Sequence, residues 1–192
     1  MTKLLILIAG MPASGKTTFA NHLSDTLHIP LVCKDRLKEI IWERIRYDGA
    51  SREESQKFGG LAYDLSFHFC EELMNADSAL VFESNLGASC PSVLDALVRR
   101  YDYKVITVLF DGDAEVIHQR FVARDRTAER HPGLVSGSRF NDLEAFTKQT
   151  VPCREFSYGD YIIRVDSTDL DTVCYDEIVK WINDCTSKIF TV

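Results

Sequence analysis

The octapeptide Gly10-Met-Pro-Ala-Ser-Gly15-Lys16-Thr17 constrains this chain more than any other stretch of its sequence. It satisfies every fixed position of G-x-x-x-x-G-K-[S/T]; from average residue usage, a chance match somewhere in 192 residues has a probability of roughly 1%. The context is specific as well. An apolar run, Lys3-Leu-Leu-Ile-Leu-Ile-Ala9, leads into the motif, and Ala20, Leu23 and Leu27 follow it at helical spacing. Glycines let a backbone curl so that successive N–H groups point into one concavity. A helix opening at Lys16 turns its positive end toward the same point. Gly10, Met11, Pro12, Ala13, Ser14 and Gly15, with Thr18 in the first helical turn, form an expected cradle for phosphate oxygens. Lys16 is placed to reach β and γ phosphates, and the Thr17 hydroxyl to ligate magnesium. The bland alternative, a glycine-rich turn that binds nothing, does not require this strand–turn–helix setting.

Further along, short apolar runs alternate with helical stretches, which is the pattern of a parallel sheet covered on both faces. Strands are predicted at Leu4–Ala9, Pro30–Cys33, Ala79–Glu83, Lys104–Phe110 and Tyr161–Val165. Helices are predicted at about 16–28, 36–46, 52–75, 90–100, 113–125, 141–150 and 170–185. This gives a three-layer α/β sandwich, with residues 1–192 as one domain. Ser51-Arg-Glu-Glu54 has capping-box spacing and opens the longest helix. Phe58, Leu61, Leu65, Phe69 and Leu73 recur on that helix, and Gly59-Gly60 marks a possible kink or break. Residues 126–140 mix arginine, glycine and proline without periodicity and read as a loop or short lid.

A net charge of −7 supplies no general attraction for nucleic acid or anionic membrane, although a local basic groove is compatible with it. The apolar start is too short for a membrane helix and lacks a small-residue cleavage site, so no membrane association is expected. The six cysteines form no CxxC pair and match no zinc spacing; they read as free thiols of a cytoplasmic protein. The five histidines form no metal motif, and His68, within an apolar helical stretch, is expected to be packed.

Three further segments carry candidate chemistry. Asp35, in Val32-Cys-Lys-Asp35-Arg-Leu-Lys38, is either a carboxylate beside the phosphates or an N-cap for the next helix. Glu83 ends an apolar strand, in Ala79-Leu-Val-Phe-Glu83-Ser-Asn85. It reads as a magnesium-holding acid or as a surface acid at a strand end. Arg120 and Arg124 are spaced to share a helix face, where they either meet an anion or form a solvated basic face; Arg126 and Arg130 follow in the loop. Asp166 and Ser167, after the last strand, are candidates for base contact or for a helix cap.

In order along the chain, Gly10–Thr18, Lys34–Ile41, Val81–Asn85 and Asp113–Arg126 resemble the P-loop small-molecule and polynucleotide kinases. That group includes adenylate and shikimate kinases, zeta toxins and chloramphenicol phosphotransferase. The nearest likeness is to the ATP-binding branch similar to the kinase domain of polynucleotide 5′-kinase, and it spans Lys3 to about Ser167. The resemblance implies sheet order 2-3-1-4-5, with ATP and Mg²⁺ as cofactors. It implies that Asp35 accepts the proton of an attacking hydroxyl, that Arg120 stacks on adenine, that Arg124 neutralises phosphate and that the 165–168 turn lies beside the base. Lys16, Asp35, Arg124 and Arg126 are then the expected catalytic set. Two positions depart from the group: Lys38 stands where an arginine is usual, and Glu83 where an aspartate is.

The expected activity is ATP-dependent phosphate transfer to a small-molecule hydroxyl, with Asp35, Lys38 and Asn85 toward the acceptor. Helices in 36–75 would carry the acceptor pocket, with Tyr63, Asp64, Phe67 and His68 as positional candidates. The alternatives are a nucleotide-dependent regulatory binding module or slow ATPase, and a polynucleotide 5′-hydroxyl kinase, which the net charge disfavours. The absence of an N-K-x-D guanine motif favours ATP over GTP. The acceptor's identity and the oligomeric state are open at this stage.

Overall fold

The computed structural model describes residues 2–48, 51–87, 90–137 and 140–190. Five strands, β1 (Leu4–Gly10), β2 (Leu31–Cys33), β3 (Leu80–Glu83), β4 (Lys104–Asp111) and β5 (Tyr161–Asp166), form one parallel sheet in the order β2-β3-β1-β4-β5. Seven α-helices accompany them among the described residues: α1 (Lys16–Leu27), α2 (Lys34–Ile45), α3 (Arg52–Asn75), α4 (Cys90–Tyr101), α5 (Ala114–Asp125), α6 (Leu143–Arg154) and α7 (Tyr175–Phe190). The expected α/β sandwich and strand order are both present.

β1 is central, and its seven residues are all buried, which is why it reads as an uninterrupted apolar run. Alternate residues feed opposite layers. Leu5, Leu7 and Ala9 join Phe82 and Leu109 in a core with Cys70 and Met74 of α3 and Leu94 and Leu97 of α4. Leu4, Ile6 and Ile8 join Phe19 and Leu23 of α1 and Ile178 and Ile182 of α7 on the other face. After β1 the chain builds β2 and β3 on one side, then crosses to β4 and β5 on the other. The crevice outside the carboxyl ends of β1, β3 and β4 therefore lies at a topological switch point, where such sheets place ligands.

Several local expectations are corrected. α2 begins at Lys34, not 36, so Asp35 lies in its first turn; Cys33 holds the cap position and makes no side-chain cap hydrogen bond. α3 runs unbroken through Gly59-Gly60. Its buried stripe is Phe58, Ala62, Ser66, Cys70 and Met74, and Leu61 and Phe69 are exposed. Phe58 and Ala62 pack with Ile41 of α2 and Tyr47, while Cys70 and Met74 pack with residues of the sheet. Only half of the capping box forms. Ser51 Oγ accepts from the Glu54 N–H at 3.4 Å, and the Glu54 carboxylate accepts from the Asp48 N–H instead of reaching back to residue 51. The final helix starts at Tyr175, after a separate 3₁₀ turn at Leu170–Thr172.

The 126–140 segment carries turns and a 3₁₀ turn at Pro132–Leu134; its positions 138–139, like 49–50 within the 36–75 region, lie outside the described residues. Among the described residues no helix is long and apolar enough to cross a membrane. All six cysteines are free thiols.

Candidate active site

The turn between β1 and α1 needs backbone that few residues supply. Gly10 has φ 128°, Ala13 φ 62° and Gly15 φ 88°. A Cβ at Gly10 would sit 1.9 Å from the Phe110 carbonyl oxygen, so β4 passes too close for any side chain there. Met11 faces inward, fully buried with Ile117, Phe121 and Phe146, and anchors the loop from beneath. Its carbonyl accepts from Lys16 Nζ at 2.6 Å and from Ser14 Oγ at 2.7 Å. These bonds hold the buried Lys16 ammonium inside the curl, where desolvation lowers its pKa against the pull of Glu83 and Asp35. Pro12 through Thr18 line one wall of a cleft of about 240 Å³, with Thr17 and Thr18 exposed at the start of α1.

The facing walls come from α2, β3, α5 and the segment after it, and they bring Asp35, Lys38, Glu83, Asn85, Arg124 and Arg130 into the same cleft. Asp35 is bound to Lys34 Nζ at 2.6 Å. Desolvation alone would raise its pKa, but the Lys34 ammonium, with Arg130 and Lys16, holds the carboxyl far below the usual carboxylate range. Asp35 is therefore ionised at every physiological pH. The N-cap alternative falls, because the carboxylate is spent on a cation in the cleft.

Glu83 is 3% exposed, which removes the surface-acid alternative. Desolvation raises its pKa while Lys16 opposes the rise, and the Cys33 thiol donates to its Oε2 at 3.0 Å. Lys38 Nζ donates to Ser55 Oγ at 2.9 Å. Tyr63 OH donates to the Asn85 carbonyl at 2.7 Å and accepts from Ser84 Oγ at 2.8 Å, which fixes the backbone beyond β3. Behind Asn85 a second cavity of about 430 Å³ is lined by Tyr63, Asp64, Phe67, Val93, Pro152 and others. His68 is not among them. It is exposed on α3, contrary to the packed position expected of it.

The arginines divide. Arg120 does not line the cleft. Its guanidinium donates to the carbonyls of Ala13 at 3.2 Å, Ser167 at 3.1 Å and Thr168 at 2.9 Å, tying the glycine-rich turn to the loop after β5. Arg124 enters the cleft over the Phe121 ring, and its Nε is buried without a hydrogen-bond partner among the described residues. Desolvation, then the neighbouring Arg130, lowers its pKa to about 10. Arg126 is exposed at the C-cap of α5 and does not reach the cleft, whereas Arg130 does, braced by Asp125 and the Leu134 carbonyl. Asp166 accepts from the Thr168 N–H at 2.9 Å, and Ser167 is buried against the Asp111 carbonyl; both shape the turn that Arg120 grips. Arg99, Arg100 and Tyr101 pair with Asp95 and Glu71 and form no open basic patch.

Lys34 was missed from sequence. A cation in the first turn of a helix opposes the helix dipole, and that mismatch beside Asp35 was the available signal.

The family described as "AAA domain" matches residues 5–149, about three quarters of the chain. The chain belongs to that family. The matched span holds every cleft residue named above, together with β1–β4. A solved structure of a candidate kinase from Chloroflexus aurantiacus j-10-fl is 25% identical, with a TM-score of 0.86 over 96% of this chain and 98% of that one. Shikimate kinase from Aquifex aeolicus vf5 is 20% identical, with a TM-score of 0.52 over 97% and 98% of the two chains. A gluconokinase from Sinorhizobium meliloti 1021 is 14% identical, with a TM-score of 0.56 over 97% and 93%. No curated protein matches the chain. Within its family, the protein has the fold of the P-loop kinases.

Proposed function

We propose that this protein transfers the γ-phosphate of ATP to a hydroxyl of a small-molecule acceptor, with Asp35 receiving the hydroxyl. The observation that carries this reading is the meeting of Asp35, Lys16 and the unpartnered Arg124 Nε in one cleft. An in-line displacement needs little covalent help from the protein; it needs positioned oxygens and cations where charge spreads. Lys16 and the N–H groups of the glycine-rich turn take the phosphate oxygens. Arg124 and Arg130 lie across from them and neutralise the transferring group; Arg126, expected to share that task, does not line the cleft.

Asp35 suits orientation more than strong base catalysis, because its depressed pKa makes it a weak base. The loose transition state of phosphoryl transfer asks little base strength, so an ionised carboxylate that accepts the hydroxyl's hydrogen bond is sufficient. A magnesium ion supplies charge neutralisation between phosphates. Thr17 and the two carboxylates, Asp35 and Glu83, are the residues that fit it. No cluster of three or more His, Cys, Asp or Glu side chains suited to a metal occurs among the described residues. The ion would accordingly be carried mainly by phosphate and water oxygens, its usual habit. The cavity behind Asn85 is the acceptor's place, and the grip of Arg120 on the 167–168 backbone sets the edge that meets the base. The absence of a guanine motif supports ATP, and burial of Cys33, Cys70, Cys90 and Cys185 as free thiols suits work in the cytoplasm.

The test is ADP release from magnesium-ATP across a panel of sugars, nucleosides, hydroxy acids and aminoglycosides, with wild type beside Asp35→Asn and Lys16→Ala. One acceptor class should raise release above basal hydrolysis. Asp35→Asn should lower that stimulated rate by about 10²-fold or more, and Lys16→Ala should weaken ATP binding. Unchanged ATP affinity in Lys16→Ala, or stimulation that survives Asp35→Asn, overturns the assignment.

A further inference from the structure

A third cavity, of about 470 Å³, adjoins the phosphate cleft through Ser55 and Phe140, which line both. It lies between the start of α3 and the body of α6. Arg52 projects from one helix and Lys148 from the other, with Gln56 and Gln149 beside them, and among the described residues no acidic side chain lines it. Arg52 and Lys148 make no hydrogen bond or ion pair among the described residues. Gln149 also borders the apolar cavity behind Asn85, so the three spaces are contiguous in their linings.

Charge gives this arrangement direction. The chain carries −7 overall, yet among the described residues Lys16, Lys34, Lys38, Arg124 and Arg130 face only Asp35 and Glu83 in the cleft. A magnesium–triphosphate complex brings about two negative charges, which leaves that wall with a small positive residue. Two further unpaired cations in the adjoining space then exceed anything the nucleotide asks for. The apolar cavity, by contrast, has Asp64 and, among the described residues, no cation in its lining. Unpaired cations on facing helices, brought together in a concave site by an acidic protein, focus field on one spot.

Resting on the phosphate-transfer reading, we propose that the acceptor is a small anionic alcohol. Its carboxylate or phosphate lies between Arg52 and Lys148, its apolar body extends toward Tyr63 and Phe67, and its hydroxyl points past Ser55 to Asp35. A guanidinium from α3 supplies a fork of donors for either anion, and the ammonium from α6 closes over it. A neutral or cationic alcohol would leave both charges unanswered.

The experiment uses the full chain with saturating ADP and magnesium, so that the phosphate cradle is filled. Inorganic phosphate and malonate are titrated separately by calorimetry against wild type, Arg52→Gln, Lys148→Gln and the double variant. Lys104→Gln, an exposed lysine at the far end of the sheet, is the charge control. Wild type should bind one further anion, and the better of the two titrants identifies phosphate or carboxylate as the group recognised. The double variant should lose about tenfold or more in affinity, as two charge-assisted contacts imply, and the control should not.

With acceptor panels, anionic alcohols should stimulate ADP release. The double variant should raise the acceptor KM with little change in kcat. If wild type binds no ADP, the phosphate-transfer reading itself fails. If it binds ADP but anion affinity is the same in the double variant, the subsite is wrong and the transfer reading stands. Stimulation by neutral alcohols alone, or by 5′-hydroxyl oligonucleotides alone, also overturns the proposal.

Discussion

Gly10→Ala separates a motif required by ligand from one required by fold. The new Cβ would lie 1.9 Å from the Phe110 carbonyl oxygen, and ordinary contact begins near 3.4 Å. Relief therefore moves β1 or β4 backbone by about 1.5 Å, at the centre of a sheet whose residues here are fully buried. The φ of 128° adds about 1–3 kcal/mol of backbone strain for any residue with a side chain. The shift also opens the Met11 N–H to Phe110 carbonyl bond, now 3.2 Å, at a cost of about 1 kcal/mol. These two costs together, about 2–4 kcal/mol, are a large part of the stability of a domain this size. Urea denaturation followed by circular dichroism measures it, with ATP affinity read on the folded fraction. A loss below about 1 kcal/mol with ATP affinity intact would refute the steric argument, since neither the strand approach nor the turn would then need glycine.

Gly59→Ala should have the opposite sign. Beyond the helix's own backbone no atom lies within 4 Å of the new methyl group, and α3 is regular there, so stability should rise by about 0.5–1 kcal/mol and Tm by about 1–4 °C. A fall would mean that the glycine pair serves a bend that the regular helix does not contain. Thiol labelling should be selective: exposed Cys174 reacts first, while Cys33 and Cys70 resist in the folded protein. Desolvation, joined at Cys33 by the Glu83 charge, raises both thiols to about 12. The reactive thiolate is then about one part in ten thousand at pH 8 and grows about tenfold per pH unit. Rapid labelling of Cys33 at pH 8, read by mass spectrometry, would contradict its burial against Glu83.

What could be read from the sequence was what its physics makes local or repetitive. Gly10–Thr17 encodes a backbone shape within eight residues, and the shape is present. β1 and β4 read as continuous apolar runs because both faces are covered. The face of α3 was not legible in the same way. Leu61 and Phe69 carry more hydrophobic weight than Ala62, Ser66 and Cys70, yet the smaller residues lie on the buried face, which is set by the neighbours α3 packs against. The role of Asp35 turned on where α2 begins. Two extra residues of helix convert a plausible cap into a first-turn carboxylate facing a lysine, and helix ends are poorly specified by propensity. The lid arginines were hard for a related reason. Arg124 is placed by the period of α5, whereas Arg130 is placed by a turn whose path depends on Asp125 and Ser136.

The two carboxylates of the cleft show how one neighbourhood assigns different work. Both are desolvated, and both lie near Lys16. Lys34 divides them: it binds Asp35 directly and acts on Glu83 only weakly, so the first is driven down and the second raised. Asp35 is thereby kept ionised. Burial raises the Glu83 pKa, and a cation entering the cleft would oppose that rise as Lys16 does. Lys34 is thus the residue that makes the carboxylates unequal. Removing its charge would draw the two pKa values together, and the division of roles would be lost with Lys16, Asp35 and Glu83 all still in place.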